Sequence, residues 1–375
     1  MTITVRPITS EQHLAFLDRI GSASFLQTPA WARVKQEWRG ESLGWFDSEG
    51  DEEPIGAALV LYRQLPKLKK YFAYLPEGPV LDWPSIDDVT AHLSPMVAHL
   101  RKQGAFGVRI GPTQVFRRWD NATVKAAVAD EAVSSLLEVR ASETDEHGAR
   151  VRQRMLDAGW IPQQATEGFA AGQPPYNFWL PLKGKSGDDL LAGMNQQWRR
   201  NIKKAAKAGV EVSVGGADDL PAFHQLYAET AERDGFGPRP LPYFQTMYRE
   251  LAAEDPDRIR LYLARHEDTL VAATIWIRVG THTWYSYGAS STEKRDVRGS
   301  NAIQWRMMTD ALEAGAEVYD LRGVTPGVAK DDPEIGLIQF KVGTGGEIVE
   351  YLGEWDLPLN RPLYKAFDWY LSRRS

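Results

Sequence analysis

Three strand-like runs, Arg260–Arg265, Leu270–Val279 and Thr281–Tyr287, follow one another over short links. Links this short require antiparallel neighbours, because a parallel pair needs a crossover of about a dozen residues or more. The helical stretch before them, Leu220–Asp234, carries Phe223, Leu226, Tyr227 and Thr230 at helical spacing. After them come a loop, a helix and the strand Tyr319–Arg322, with Gly323 at its end. This order specifies an α+β domain. The first half has a cruder version of it: a strand in TITVRPI, a helix over Ser10–Ile20 with Ser10 at the cap, and a helix over Phe25–Trp38 opened by Thr28-Pro29. Strands at Gly56–Arg63 and Tyr71–Leu75, a helix over Ile86–Gln103 and a strand at Val108–Ile110 complete it. The chain reads as two copies of one fold. Ala165–Pro175, rich in Gly, Gln and Pro, reads as a linker, so the first domain is 1–175 and the second 176–352.

The 375 residues accommodate two to three domains. No apolar run approaches the roughly 20 residues that span a bilayer. MTITVRPITSEQ has neither a basic region nor an apolar stretch, so no secretory leader is expected there, and the expected location is the cytoplasm. There are no cysteines, which excludes disulfides, thiolate metal sites and thiol nucleophiles. The seven histidines lack ligand-like spacing, so no metal is expected. With a formal net charge of −6, a polyanion must bind through a local basic patch.

One such patch lies in Asp188–Gly209, read as a single helix with Asp188 and Asp189 at its start and Gly209 after its end. Arg199, Lys203 and Lys207 are spaced by four, as are Arg200 and Lys204, with no acidic residue between Asn195 and Gly209. Like charges at this spacing cost helix stability, which points to a phosphate-backbone contact. Gly235–Phe244 is a loop in which Pro238 and Pro240 stiffen the backbone around Arg239, suited to presenting a guanidinium to a carboxylate or phosphate. Tyr285 and Tyr287 alternate with Ser286 and are expected on one strand face. In Gly336–Tyr351, Phe340-Lys341 ends an apolar run read as a strand; Gly343, Gly345 and Gly346 read as the turn of a final hairpin. Lys35, four residues after Trp31, reads as a lysine at the edge of a core helix. Asp82 follows a Pro-Gly turn and reads as a turn residue or a cap for Ile86–Gln103.

FLQTPAWARVK, YLPEGPVLDW, WRRNIKKAAKAGVEV, the YSYGASS–GSNAIQW pair, YDLRGV and GLIQFKVGTGGEIVEYLGEWDLP resemble the FemABX family over nearly the whole chain. Its members take an amino acid from aminoacyl-tRNA and add it to the stem peptide of a peptidoglycan precursor, building the interpeptide bridge. The resemblance implies an α+β fold of two tandem GNAT-like (acyl-CoA N-acyltransferase-like) domains, the first completed by the C-terminal segment 353–375. It implies that Lys35 contacts precursor phosphate, that Arg239, Tyr243 and either Tyr285 or Tyr287 hold the acceptor, and that Phe340-Lys341 acts in transfer. Asp82 matches a candidate general base. The implied partners are aminoacyl-tRNA, for whose phosphates the basic face of Arg199, Arg200, Lys203, Lys204 and Lys207 is the best candidate, and either lipid II or UDP-MurNAc-pentapeptide. No cofactor is implied. Monomeric behaviour is expected, with peripheral contact at the inner membrane face if the acceptor is lipid-linked. Two departures stand out: Glu77 occupies a position that is often basic, and only Ala231–Glu250 is available where some members insert a long helical arm, so the chain resembles the compact type.

A CoA-dependent N-acyltransferase is the alternative on this fold. It needs a Q/R-x-x-G-x-G/A loop opening a helix. Asp296–Asn301 stands there, with Asp296 in place of the basic or amide residue and Asn301 in place of the small one. A tRNA-dependent aminoacyltransferase of peptide secondary metabolism is a second alternative.

Overall fold

The structure, a computed structural model, describes residues 3–163 and 172–372. It divides into two compact units. The first comprises Met1–Arg118, Ala141–Asn177 and Val349–Ser375, the second Trp119–Arg140 and Phe178–Ile348. In chain order the elements are β1 (Thr4–Pro7), α1 (Ser10–Ile20), α2 (Pro29–Val34), β2 (Arg39–Phe46), β3 (Gly56–Gln64), β4 (Tyr71–Leu75), α3 (Val89–Lys102), β5 (Ala105–Ile110), β6 (Val115–Trp119), α4 (Asn121–Ala129), β7 (Glu143–Thr144), α5 (Glu146–Asp157) and β8 (Ile161–Pro162). Then follow β9 (Tyr176–Pro181), α6 (Gly187–Gly193), α7 (Gln196–Lys207), β10 (Glu211–Gly215), α8 (Leu220–Asp234), α9 (Leu241–Glu254), β11 (Ile259–His266), β12 (Thr269–Val279), β13 (His282–Ser290), α10 (Gly299–Glu313), β14 (Val318–Gly323), α11 (Ile335–Val342), β15 (Glu347–Tyr351), β16 (Trp355–Pro358) and α12 (Arg361–Ser372).

In the first unit the described strands pair in the order β1-β2-β3-β4-β5-β16-β8. The β4–β5 pair is parallel and stays paired along the whole of β4, from Tyr71 opposite Ala105 to Leu75 opposite Ile110. β16, from the C-terminal segment, lies antiparallel on β5 with Trp355 opposite Ile110. Its Asp356 receives two hydrogen bonds from the buried Arg109, Nε to Oδ1 at 2.6 Å and Nη2 to Oδ2 at 2.8 Å. Such a bidentate pair suits an arginine out of water. Beside it, burial pushes the Glu354 carboxyl up to about 6, and Tyr74 donates to it at 2.5 Å. Leu43, Trp45, Val60, Leu75, Met96, Leu100, Val108, Ile110 and Trp355 fill the core. α12 docks through Phe367, whose ring lies 4.9 Å from Phe72 and 5.4 Å from Phe106; burying one such ring contributes about 2 kcal/mol.

Several local expectations shift. Thr9 caps α1, exchanging bonds with Gln12 in a capping box, and Ser10 is the first helical residue. α2 ends at Val34 rather than Trp38, because the chain must turn before Arg39 pairs with Tyr62 in the sheet. Trp38 instead packs on Tyr74, 6.2 Å between rings. Asp88, and not Asp82, caps α3, accepting from Ala91 N–H. Of the expected linker, residues 165–171 lie outside the described residues.

The second unit's sheet runs β10-β11-β12-β13-β14-β9. β11, β12 and β13 are the three antiparallel neighbours that the short links require. Residues 119–140 pack here although sequence order puts them in the first domain; Asn121–Ala129 is their α-helix, and Leu136–Glu138 forms a short 3-10 turn. Asn121 Nδ2 donates to the carbonyl oxygens of Val342 at 3.1 Å and Gly346 at 2.9 Å, which ties this segment to α11. The expected helix over 188–209 is two helices. The chain is extended at Met194 and restarts at Asn195, whose side chain caps α7 through Trp198 N–H at 2.8 Å. The largest correction concerns Gly336–Val342, read as a strand, which is the helix α11. Ile338, Lys341 and Val342, at helical spacing, are its buried face. A short apolar run does not by itself separate strand from helix; here Asp332-Pro333-Glu334 starts the helix, with Asp332 Oδ1 accepting from Glu334 N–H at 2.8 Å. Among the described residues no helix is long and apolar enough to cross a membrane.

Candidate active site

The sheet of the second unit opens between β13 and β14. β13 and β14 run parallel but pair only at His282–Val318, Thr283–Tyr319 and Trp284–Asp320. Beyond these the two strands separate. Arg322 stands in the left-handed region, φ +64°, at the diverging end of β14. The buried side chain of Lys341 reaches this point from α11. Its Nζ donates to the carbonyl oxygens of Gly323 at 2.7 Å and Arg322 at 3.2 Å. Burial lowers its ammonium from about 10.5 to about 7; Asp320 and Glu334 pull it back up, while Arg322 adds to the fall. At neutral pH both the amine and the ammonium are therefore populated, the condition in which a lysine serves acid–base chemistry.

Linkage fixes the sign of the associated stability change. The folded lysine is depressed, so between about pH 7 and pH 10.5 the unfolded chain binds more protons, and stability rises with pH there. It is lost as pH falls through about 7. We expect Lys341→Met to remove this rise, read as the difference in denaturant unfolding between variant and parent from pH 6 to pH 10. Parallel curves would show that Lys341 titrates normally.

Phe340, on the same turn, packs its ring 4.8 Å from Trp198, whose Nε1 donates to the Phe340 carbonyl oxygen at 2.8 Å. The glycines after them are not an open turn. A Cβ on Gly343 would fall 2.3 Å from Trp198 Cδ1, and one on Gly346 would fall 2.3 Å from the Trp179 carbonyl oxygen. Gly345, at φ +92°, abuts the Gly193 carbonyl oxygen. They let α6, α7 and β9 close on the end of α11.

A second group gathers around α8 and α9. Arg239 Cζ sits 4.9 Å from the centre of the Tyr243 ring, and its charge interacts with the hydroxyls of Tyr243 and Tyr287. Those hydroxyls are 3.1 Å apart. Phe244 and Tyr227 pack edge-on to Tyr287, at 5.2 Å and 6.2 Å. The structure thus unites Arg239, Tyr243 and Tyr287. Tyr285 does not share their surroundings, because the register with β12 slips between Ile275 and Trp276 and leaves Ser286 as an extra residue between the two tyrosines. The Tyr285 hydroxyl lies over Gly288; burial, with Asp234 adding, pushes it up to about 12.

On α7 the charges divide. Arg200, Lys203, Lys204 and Lys207 are exposed and have no ion-pair partner among the described residues. Arg199 turns back to donate to the carbonyl oxygens of Met194 at 2.8 Å, Ala192 at 3.2 Å and Leu191 at 3.4 Å. The last carbonyls of a helix lack internal partners, and Arg199 supplies them for α6, which withdraws it from the free basic face.

In the first unit, Lys35 ends α2 with Nζ 5.9 Å from the Trp31 ring. Asp82 is exposed and accepts from Ser85 Oγ at 2.6 Å, as a turn residue does. Glu77 is buried and accepts from Ser24 Oγ. Sequence reasoning missed Asp320, His282, Trp179 and Trp198. Asp320 carried a signal, an acidic residue inside the strand Tyr319–Arg322; the others carried none apart from being aromatic or imidazole rings in strands and helices. Among the described residues no cluster of three acidic or histidine side chains is placed to hold a metal ion.

Comparison with known proteins adds to this geometry. The lipid II:glycine glycyltransferase of Staphylococcus aureus (strain USA300) is 24% identical over 431 residues, which cover 96% of this chain and 94% of that protein. The alignment is longer than the chain, so the relative has residues that this one lacks. The crystal structure of FemX superposes with a TM-score of 0.79 at 22% identity, covering 96% of this chain and 99% of the other. A tandem GNAT protein from the clavulanic acid biosynthesis pathway superposes at 0.54 with 11% identity, covering 95% and 98%. The fold is accordingly two GNAT-like domains in tandem. The FemAB family profile matches residues 8–265 and 260–370, and the chain belongs to the FemAB family.

Proposed function

We propose that this chain moves an amino acid from aminoacyl-tRNA to the stem-peptide amine of a peptidoglycan precursor. It is an enzyme of the aminoacyl-transfer class. Glycine is the first donor to test and lipid II the first acceptor, because both are named in the relative; alanine, serine and UDP-MurNAc-pentapeptide follow. The observation that carries the reading is the desolvated Lys341, gripped by two carbonyls where β13 and β14 part.

The reaction needs little from the protein beyond alignment and charge. The acceptor amine attacks the ester carbonyl carbon, a C–N bond forms, and the bond to the ribose oxygen breaks. Holding the two together is proximity catalysis. Lys341 has three N–H bonds as an ammonium and two are used on carbonyls; the third can meet the oxygen on which charge develops. The proton lost by the amine ends on the ribose oxygen. Phe340 and Trp198 wall the site against water. Arg239, Tyr243 and Tyr287 hold the acceptor. A CoA donor fits less well: a Cβ on Gly299 would fall 2.8 Å from Val271 Cγ2, so the start of α10 is already packed, and Asn301 is buried.

The test is a transfer assay with each charged tRNA against both precursor forms. With the preferred pair, Lys203→Glu combined with Lys207→Glu should lower kcat/KM for charged tRNA about 10-fold at low salt. It should also flatten the dependence of log kcat/KM on log salt by about 1.5, for two lost phosphate contacts. An unchanged slope would make α7 merely a solvated face. Label transfer from no charged tRNA would refute the donor assignment.

A further inference from the structure

The turn that receives Lys341 is made by an aspartate. Asp320 is fully buried inside β14, where a carboxylate must find partners. Its Oδ1 accepts the Arg322 backbone N–H at 2.5 Å. This bond to the backbone two residues on is the Asx turn, which stabilises a bend without glycine. Arg322 is held at φ +64°, a conformation that a long side chain adopts only when its surroundings impose it. The bend ends β14 and presents two successive carbonyl oxygens, of Arg322 and Gly323, to Lys341 Nζ. The other carboxylate oxygen, Oδ2, is fixed from the opposite side by Trp179 Nε1 at 3.1 Å and His282 Nε2 at 3.3 Å. His282 is itself stacked on Trp284, with ring centroids 4.3 Å apart, and Trp179 meets it edge-on at 5.3 Å. One oxygen shapes the backbone; the other is locked in place.

We propose that Asp320 is a positioning residue of the transfer reaction, bending the end of β14 so that two carbonyls grip Lys341 and aim its remaining N–H at the reacting ester. The inference rests on the catalytic reading of Lys341 given above. It also assigns a role to the His282–Trp179 pair, which keeps the carboxylate from rotating away from Arg322. The charged groups facing Lys341 are Asp320 and Arg322 from β14 and Glu334 from the start of α11; His282, on β13, faces Asp320. Asp320 and Glu334 favour the ammonium and Arg322 opposes it.

Asp320→Asn keeps the size of the side chain and removes its charge. We expect kcat for transfer to fall about 10–100-fold, the cost of misplacing a reacting group by around an ångström, with KM for the precursor unchanged. The titration of Lys341, followed by NMR in lysine-labelled protein, should move to lower pH, because a charge that favours the ammonium is gone. The NMR measurement does not depend on turnover. A parental kcat together with a parental Lys341 midpoint would overturn the inference, whereas a fully active Lys341→Ala would instead overturn the reading it rests on. If Asp320→Asn folds poorly, it is placed on Arg322→Gly, in which glycine takes the left-handed turn without strain, and compared with Arg322→Gly alone. Equal kcat and equal midpoints in that pair would overturn the inference just as well.

Discussion

Lys341→Ala is expected to lose about 10³-fold in transfer rate while precursor affinity stays within a few-fold of the parent. The size follows from what the side chain does: a preorganised donor aimed at developing charge in a water-excluded site contributes about 10²–10³ in kcat, and the loss of its charge adds to that. The effect should fall on kcat, because the groups proposed to hold the acceptor, Arg239, Tyr243 and Tyr287, cluster through their own contacts around α8 and α9. The variant should fold. Alanine takes the ammonium donor away from two carbonyl oxygens, a cost of about 1–3 kcal/mol, yet it also removes an ammonium that burial disfavours. Single-turnover transfer from charged tRNA, with calorimetric binding of the precursor, separates the two quantities. A folded variant that keeps a tenth of parental turnover would take Lys341 out of the chemistry.

Gly346→Ala should destabilise the second unit by about 3 kcal/mol, at the upper end of overpacking costs. The added Cβ would meet the Trp179 carbonyl oxygen at 2.3 Å and Phe178 Cε1 at 2.5 Å. A backbone oxygen in a sheet has nowhere to go, so the strain falls on β9 or on the end of α11. Gly336→Ala supplies the control of opposite sign. Gly336 lies in the first turn of α11 with no atom within 4 Å of its Cβ position, so alanine there should be neutral or stabilise by up to about 1 kcal/mol. Denaturant midpoints of the two variants test the pair. Equal midpoints would mean that the close packing of the glycines plays no part in stability.

What could be read in the sequence was whatever repeats with a short period. The helix Leu220–Asp234 has the same bounds in the structure, and the antiparallel run from Ile259 to Ser290 differs from its sequence reading only at its ends. The family resemblance rested on motifs spread along the chain and holds. The failures have physical causes. In α11 the run was too short for periodicity to tell strand from helix. In α6–α7 a polar cap at Asn195 interrupts a pattern that composition alone would continue. Tyr285 and Tyr287 were placed on one face by a rule of two that a single extra residue breaks. Arg199 looked like its neighbours because a sequence does not show which carbonyls stand within reach of a guanidinium. Among the candidate site residues, Lys341 and Arg239 stand out in the sequence because charge in an apolar or proline-stiffened setting is unusual. The carbonyl grip and the Asx turn were not, because they are made by backbone, which every sequence has.

The two parallel pairs, β4–β5 and β13–β14, occupy the same place in two copies of one fold, and they differ in how far they stay paired. One is closed over its whole length; the other comes apart after three residues. Two copies thus need not carry two reaction centres. A closed seam spends its backbone hydrogen bonds on itself and is free to change its side chains for other duties, whereas an open seam leaves unspent bonding capacity where chemistry can use it. Division of labour between duplicated domains can then begin without a new residue, through the unzipping of one strand pair.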